Sequence, residues 1–314
     1  MEEFQAYAPE EIILSNLEEL LERSLKNGEQ ELAHLRELAT EIAAGFADEG
    51  DFLASLPDHR IPTMRAVEID FPAHLQGVVP SLCREIATRR RVILCMELRR
   101  LIPAMGSLWQ DFFFPSEEPL SSFSFNRITY QRNSYTDQAY QQFSSLLSEA
   151  RASYTHSFSS VCEEVYNGFS EYCILPVENS AEGRLSSFAR LIARYELKLA
   201  ATCDVRVGED KVTRFALLRK SITRLHTPTP LPLHFEFSCE LSEELGAEEL
   251  TRAAALCGLR CEQIDLNREE QIIHVMLREG DGDLPAYLLY LAMEAPNAVP
   301  MGLYPHLPSD GQAV

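Results

Sequence analysis

The chain has no Cys-x-x-Cys pair and no apolar run near the roughly 20 residues that cross a bilayer. It is also short of positive charge: 28 Lys and Arg face 48 Asp and Glu, a formal net charge of −20 over 314 residues. Each shortage excludes something. A surface this acidic repels nucleic acid and anionic membrane faces, so neither is expected as a partner. The opening stretch from Met1 to Glu11 is acidic and lacks the basic start and apolar core of a secretory leader, which predicts a cytoplasmic protein. The eight cysteines (83, 95, 162, 173, 203, 239, 257 and 261) are scattered, with no histidines at ligand spacing beside them, and read as small buried apolar residues. Cys257 and Cys261 are separated by the turn Gly258-Leu259-Arg260 and fall on different elements. No metal and no cofactor are expected.

The hydrophobic content of 46% suffices for two or three cores. Residues 10 to 49 carry apolar side chains at three- and four-residue steps, with Gly28 as a break, which predicts a helical hairpin. A loop with Pro57 and Pro62 follows, and Val79 to Arg100 predicts a helix rich in arginine (Arg84, Arg89, Arg90, Arg91, Arg99, Arg100). That helix reads as a solvated face offsetting an acidic protein, or as a binding site for a dianion. Trp109 to Ser124, aromatic and rich in Ser and Pro, marks a boundary.

Beyond it strands and helices alternate: Arg127–Tyr130 as a strand, Thr136–Leu147 and Phe158–Gly168 as helices, and Cys173–Val177 as a buried strand. This predicts an α/β sheet with ligands at the carboxyl ends of its strands. After a proline-rich linker, Thr227 to Pro232, the pattern reads strand (Leu233–Cys239), helix (Ala247–Cys257), hairpin (Arg260–Leu266 with Gln271–Leu277), helix (Leu284–Met293) and strand (Ala298–Tyr304). The order βαββαβ is ferredoxin-like. The expected architecture is thus a helical N-terminal region (1–108), an α/β domain (124–222) and a ferredoxin-like unit (231–307).

The strand Tyr172-Cys173-Ile174-Leu175-Pro176-Val177 delivers Glu178, Asn179 and Ser180 into a turn closed by Gly183. This run resembles the Pro-Ile-Glu-Asn-Ser-x-x-Gly motif of the prephenate dehydratase family, whose members convert prephenate to phenylpyruvate on the way to phenylalanine. Thr213-Arg214-Phe215 resembles that family's Thr-Arg-Phe motif, and Ser157 to Tyr172 its helix and turn leading into the motif strand. The C-terminal unit resembles the ACT regulatory domain, with Gly302-Leu303-Tyr304-Pro305 similar to the Gly-Ser-Tyr-Pro that closes it. The resemblance implies loss of water and CO2 from prephenate, with Thr213 assisting departure of the hydroxyl. It implies substrate contacts at Glu178, Asn179, Ser180, Arg214 and, in the first loop, Ser134. It also implies an amino-acid effector at the ACT-like unit, and a homo-oligomer.

Departures from the family pattern set a second reading beside this one. The first loop, Gln131-Arg132-Asn133-Ser134-Tyr135-Thr136, lacks the family's glycines, which bring backbone N–H groups close to an anion. Lys211 stands where the family has asparagine. The link from Thr202 to Lys211 replaces the several dozen residues that build a second lobe, and ten residues hold only a hairpin turn. The family resemblance therefore implies that the α/β domain (124–222) is single-lobe and periplasmic-binding-protein-like. In the C-terminal unit, Gly246-Ala247-Glu248 and Asp265-Leu266-Asn267-Arg268 stand where relatives carry Gly-Ala-Leu and Glu-Ser-Arg-Pro. The second reading is a non-catalytic sensing or scaffold protein that binds a small carboxylate or an amino acid. The residues themselves also allow plain structural roles: Glu178 and Asn179 as caps of a helix starting near Ala181, and Arg214 as a surface arginine with Thr213 and Phe215 facing the core.

Overall fold

In the computed structural model, the described residues are 9–44, 80–101, 125–206, 211–222, 225, 227, 231–241, 245–267, 272–278, 280–295 and 297–308. The loop with Pro57 and Pro62, the segment 109–124, most of the proline-rich linker, Arg268 and the side chain of Arg84 lie outside them. The chain divides into two compact units, residues 1–103 and 104–314.

The first unit holds two helices, α1 (Pro9–Ala44) and α2 (Pro80–Leu101). The expected break at Gly28 is not there: α1 runs unbroken for 36 residues. A glycine inside a helix costs only about 1 kcal/mol against alanine, and Gly28 sits exposed with nothing within 4 Å of where a Cβ would stand. Gly28→Ala should therefore add about 0.5–1 kcal/mol of stability, visible as a higher denaturation midpoint. Leu35, Leu38, Ala39 and Ile42 of α1 and Val92, Leu94, Cys95 and Leu98 of α2 are buried. Arg90 pairs with Glu31 and Arg36 with Glu97, so the two helices run in the same direction. Arg100 also pairs with Glu97, at 2.7 Å. Arg90 and Arg100 are thus placed within the helix pair.

The second unit is built on one mixed sheet of ten strands. In chain order it runs β1 (Arg127–Gln131), α3 (Ser134–Ser144), β2 (Arg151–Thr155), α4 (Phe158–Tyr166), β3 (Tyr172–Asn179), β4 (Gly183–Arg184), α5 (Ser186–Arg194), β5 (Lys198–Arg206) and β6 (Val212–Arg219). It continues with β7 (Leu233–Glu240), α6 (Ala247–Leu256), β8 (Arg260–Asn267), β9 (Ile272–Arg278), α7 (Leu284–Glu294) and β10 (Val299–Leu307). The strand order is β2-β1-β3-β6-β5-β10-β7-β9-β8, with β4 paired to β3.

β1, β2 and β3 are parallel, and β6 lies antiparallel between β3 and β5. The link expected to span Thr202 to Lys211 is shorter still, because Thr202–Arg206 extends β5. β2, absent from the sequence reading, is an edge strand whose residues are half-buried or exposed, so it carries no apolar alternation. The expected helix near Ala181 is also corrected: residues 178–184 form the β3–β4 hairpin, and α5 begins at Ser186.

Two cores sandwich this half of the sheet. One gathers Ile128, Tyr130, Phe143, Val205, Phe215 and Leu217 on the α3 side. The other gathers Val161, Val165, Leu175, Ile192, Ala216 and Leu218 on the α4 and α5 side. In the C-terminal half β10-β7-β9-β8 are all antiparallel, and α7, apolar all round, is buried from Leu284 to Leu291. The halves meet where β10 pairs in parallel with β5: Gly302 beside Leu199, His306 beside Thr202, Leu307 beside Cys203.

Candidate functional site

The acid, amide and hydroxyl of the motif turn are all placed by β3 and its partner β6. Asn179 is opposite Thr213, and Glu178 is opposite Arg214. Each is already occupied in a specific way. Asn179 Oδ1 accepts from the N–H groups of Ala181 and Glu182, at 2.9 and 2.7 Å, and so holds the turn into β4. The Ser180 N–H donates to the Val212 carbonyl at 2.9 Å, and its Oγ accepts from the Val212 N–H at 3.1 Å. That hydroxyl closes the end of the β3–β6 ladder.

Arg214 is clamped from both sides. Nη1 lies 3.1 Å from Glu178 Oε2, and Nε lies 2.9 Å from Asp204 Oδ1 on β5. His306 Nε2 of β10 comes within 3.4 Å of Asp204 Oδ2, and His306 Nδ1 shares a 3.0 Å hydrogen bond with Thr202 Oγ1. Burial by itself would raise the Asp204 carboxyl. Hydrogen bonds from His306 and Arg214 win, and hold it far below the usual carboxylate range.

Thr213 sits on the other face. Strand residues alternate, and Phe215 and Leu217 belong to the α3-side core while Ala216 and Leu218 belong to the α4/α5-side core. Thr213 shares the face of Phe215, and Arg214 the opposite one. Asn179 and Thr213 are thus brought together, whereas Thr213 and Arg214 are separated by the thickness of the sheet.

The first loop has become a helix cap. Asn133 Oδ1 accepts from the N–H groups of Tyr135 and Thr136, and Thr136 Oγ1 accepts from the Asn133 N–H at 3.0 Å, a reciprocal capping box. Ser134 is exposed in the first turn of α3. It is not among the residues lining the pocket described next.

That pocket lies on the Arg214 face, where the β3–β4 hairpin meets the C-terminal strands. Glu178, Arg184, Arg214, Glu236, Asp265 and Tyr304 supply most of its polar lining. Arg184, the residue after the motif glycine, is its centre. Its Nη2 lies 2.7 Å from Glu236 Oε1 and its Nη1 3.8 Å from Asp265 Oδ2. Tyr304 donates to Glu236 Oε2 at 2.8 Å, and Gln263 donates to Asp265 Oδ2 at 2.9 Å. Glu236 is only 4% exposed. Burial works to raise its carboxyl, but the Arg184 charge and the Tyr304 hydroxyl keep it below the ordinary value.

Arg184, Asp204, Glu236 and His306 were not singled out from the sequence. Arg184 had a signal, its place directly after Gly183 in the motif. Asp204 and His306 had none, since only the pairing of β5 with β10 makes them neighbours. The cavity has a volume of about 30 Å³, room for a water-sized group rather than a ten-carbon dianion. Around it and behind Arg214, two guanidiniums (Arg184 and Arg214) face four carboxylates (Glu178, Asp204, Glu236 and Asp265).

Among the described residues no cysteine lines this pocket. Cys95, Cys162, Cys173, Cys203, Cys239 and Cys257 are buried, and burial pushes the Cys239 thiol up to about 11 and the Cys257 thiol up to about 12. Among the described residues no group of three or more His, Cys, Asp and Glu is placed to hold a metal ion. None of the described helices is long and apolar enough to cross a membrane.

The hairpin turn after β3 and its companion strands can be set against known proteins. Residues 131–210 match the prephenate dehydratase family model. Over that stretch the chain is prephenate dehydratase-like. The matched segment contains Ser134, Glu178, Asn179 and Ser180 and stops three residues before Thr213. No curated protein matches the chain.

Among solved structures, the chain is similar to the prephenate dehydratase of Streptococcus mutans at 16% identity and a TM-score of 0.48, over 58% of this chain and all of that one. It is similar to the Arthrobacter aurescens prephenate dehydratase in complex with L-Phe at 14% identity and a TM-score of 0.44, over 60% of this chain and 92% of that one. GqqA, described as a novel type of quorum quenching acylase, is similar at 21% identity and a TM-score of 0.44, over 58% and 96%.

Proposed function

We propose that this prephenate dehydratase-like chain does not dehydrate prephenate and acts instead as a non-catalytic binding or scaffold protein of the cytoplasm. In this reading, residues 124–222 are a one-lobe remnant of the dehydratase domain and 231–307 an ACT-like unit through which copies associate. The observation that carries the reading is the state of Arg214. A substrate carboxylate needs a cation with charge to spare, and this guanidinium already spans Glu178 and Asp204. As acceptors, Ser180 Oγ and the side-chain carbonyl of Asn179 are likewise engaged by backbone N–H groups.

The face on which Thr213 lies supports the same view. A hydroxyl assisting the leaving group and a guanidinium holding the carboxylate act on one substrate, which a sheet cannot admit from both faces at once. Between β5 and β6 only residues 207–211 remain, too few to close a lid that would exclude water.

Purified protein incubated with prephenate at neutral pH should release phenylpyruvate no faster than prephenate alone, followed by its absorbance in alkali. Turnover well above the spontaneous rate that disappears in Thr213→Ala would overturn the proposal and restore the dehydratase. The Asn179–Thr213 pairing is the feature that would then explain it.

A further inference from the structure

The two ends of the sheet treat their cations differently. At the motif end, Arg184 and Arg214 are held by carboxylates. At the other end β1, β2, β3 and β5 begin and β6 finishes, and the register sets Arg127 beside Arg151 and Lys198 beside Arg219, with Lys220 next in the chain. Lys198 donates to the Pro300 carbonyl, whereas the others rest on rings. Arg151 lies 4.1 Å over Phe125, Arg219 5.3 Å over Tyr172 and Lys220 5.6 Å over Tyr166. Among the described residues Arg151, Arg219 and Lys220 form no ion pair with a carboxylate. Arg219 Nε is buried without a hydrogen-bond partner.

A cation on a ring face keeps its full charge, and its N–H groups stay open to an anion. Arg194, exposed at the end of α5, reaches the same rim because β5 starts four residues later. Among the described residues six cations (127, 151, 194, 198, 219 and 220) share this end of the sheet with Glu149, Glu163, Glu164, Glu171 and Glu196, and the three that form no ion pair, Arg151, Arg219 and Lys220, make it a cation-bearing rim on a chain of net charge −20. Beside it two large aromatics face solvent, Tyr166 at 46% and Phe169 at 57% exposure. Arginine and aromatic side chains together are the composition of interface hot spots.

The geometry points to this rim, at the end of the sheet opposite the motif, as a docking surface for an extended carboxylate-rich segment of another polypeptide. The line of cations crosses from β2 to β5, four strand spacings or about 19 Å, which an extended segment of about six residues spans. Charge complementarity selects the class. A short acidic segment meets only the positive rim, whereas a long polyphosphate or a membrane face would also meet the acidic remainder of the surface. The inference is independent of whether the motif end turns over prephenate.

The test is fluorescence anisotropy of a labelled oligoglutamate peptide titrated with the full chain. Binding should appear at low salt and weaken about tenfold by 0.3 M salt. It should fall about tenfold in Arg151→Glu/Lys220→Glu, and less than about twofold in Arg132→Glu, which makes the same kind of charge change beyond the far end of β1. Far-UV circular dichroism establishes that each variant is folded, and Arg151→Gln/Lys220→Gln replaces the reversal if it is not. No binding at low salt, an equal loss in Arg132→Glu, or tighter binding to oligothymidylate or phosphatidylserine vesicles than to the peptide would each overturn the inference.

Discussion

Arg184→Met should cost about 3–5 kcal/mol of unfolding free energy at neutral pH, far more than the loss of a surface ion pair. The reason is what it leaves behind. Glu236 is buried in the sheet, with Arg184 as its close guanidinium partner and Tyr304 as its hydroxyl donor. Methionine fills much of the volume but leaves a desolvated carboxylate without its charge partner.

The pH dependence carries the diagnostic sign. In the native chain the Glu236 carboxyl is held below its ordinary value, so its contribution is present above the unfolded pKa of about 4.3 and is lost as pH falls through the lower folded value. Without Arg184, burial dominates and the folded value moves above the unfolded one. The variant then regains stability relative to the native chain as pH falls through that raised value. Urea unfolding near pH 7.5 and near pH 5 should show the gap narrowing. A difference below about 1 kcal/mol and flat with pH would refute the account.

Gly302→Val is expected to cost about 3 kcal/mol and to loosen the junction between the two halves of the sheet. A Cβ at this position would lie 2.6 Å from the Leu199 carbonyl oxygen, 2.8 Å from the Leu199 Cβ and 2.9 Å from Tyr304 Cδ1. The first of these is backbone and cannot turn aside, so β10 must retreat from β5. The pairs Thr202–His306 and Cys203–Leu307 lie further along the same ladder. Hydrogen exchange at residues 199–203 and 302–307 should speed up in the variant, while amides in α4 keep their rates. Gly280→Ala, where nothing lies within 4 Å, should change stability by less than about 0.5 kcal/mol and serves as the control. Unchanged exchange at the junction would mean that Gly302 is there for some reason other than the close approach.

These two residues also show how far a sequence reading reaches. Hydrophobic periodicity located β7, β8, β9, α6 and α7 to within one residue and β10 to within three, because each element repeats in space what the chain repeats in order. The same logic missed β2, an edge strand without an apolar face, and set a false break at Gly28, where an exposed helix tolerates glycine. Motif residues were legible as chemistry but not as contacts. Glu178 and Arg214 could be named, yet their mutual ion pair depends on a register that no local pattern records.

By itself the sequence determined the helical N-terminal region, the alternation of strands and helices, the βαββαβ order at the C-terminus and the family resemblance of the Glu178–Gly183 turn, since all of these are written in neighbouring residues. Only the tertiary structure decided that β10 lies against β5, some hundred residues away in sequence, and so joins ten strands into one sheet. It also decided that the motif's arginines are held by Glu178, Asp204 and Glu236, while Arg151, Arg219 and Lys220 at the opposite end form no ion pair among the described residues. A charge is visible in a sequence, but what neutralises it is set by the distance of a few ångströms at which folding places its partners.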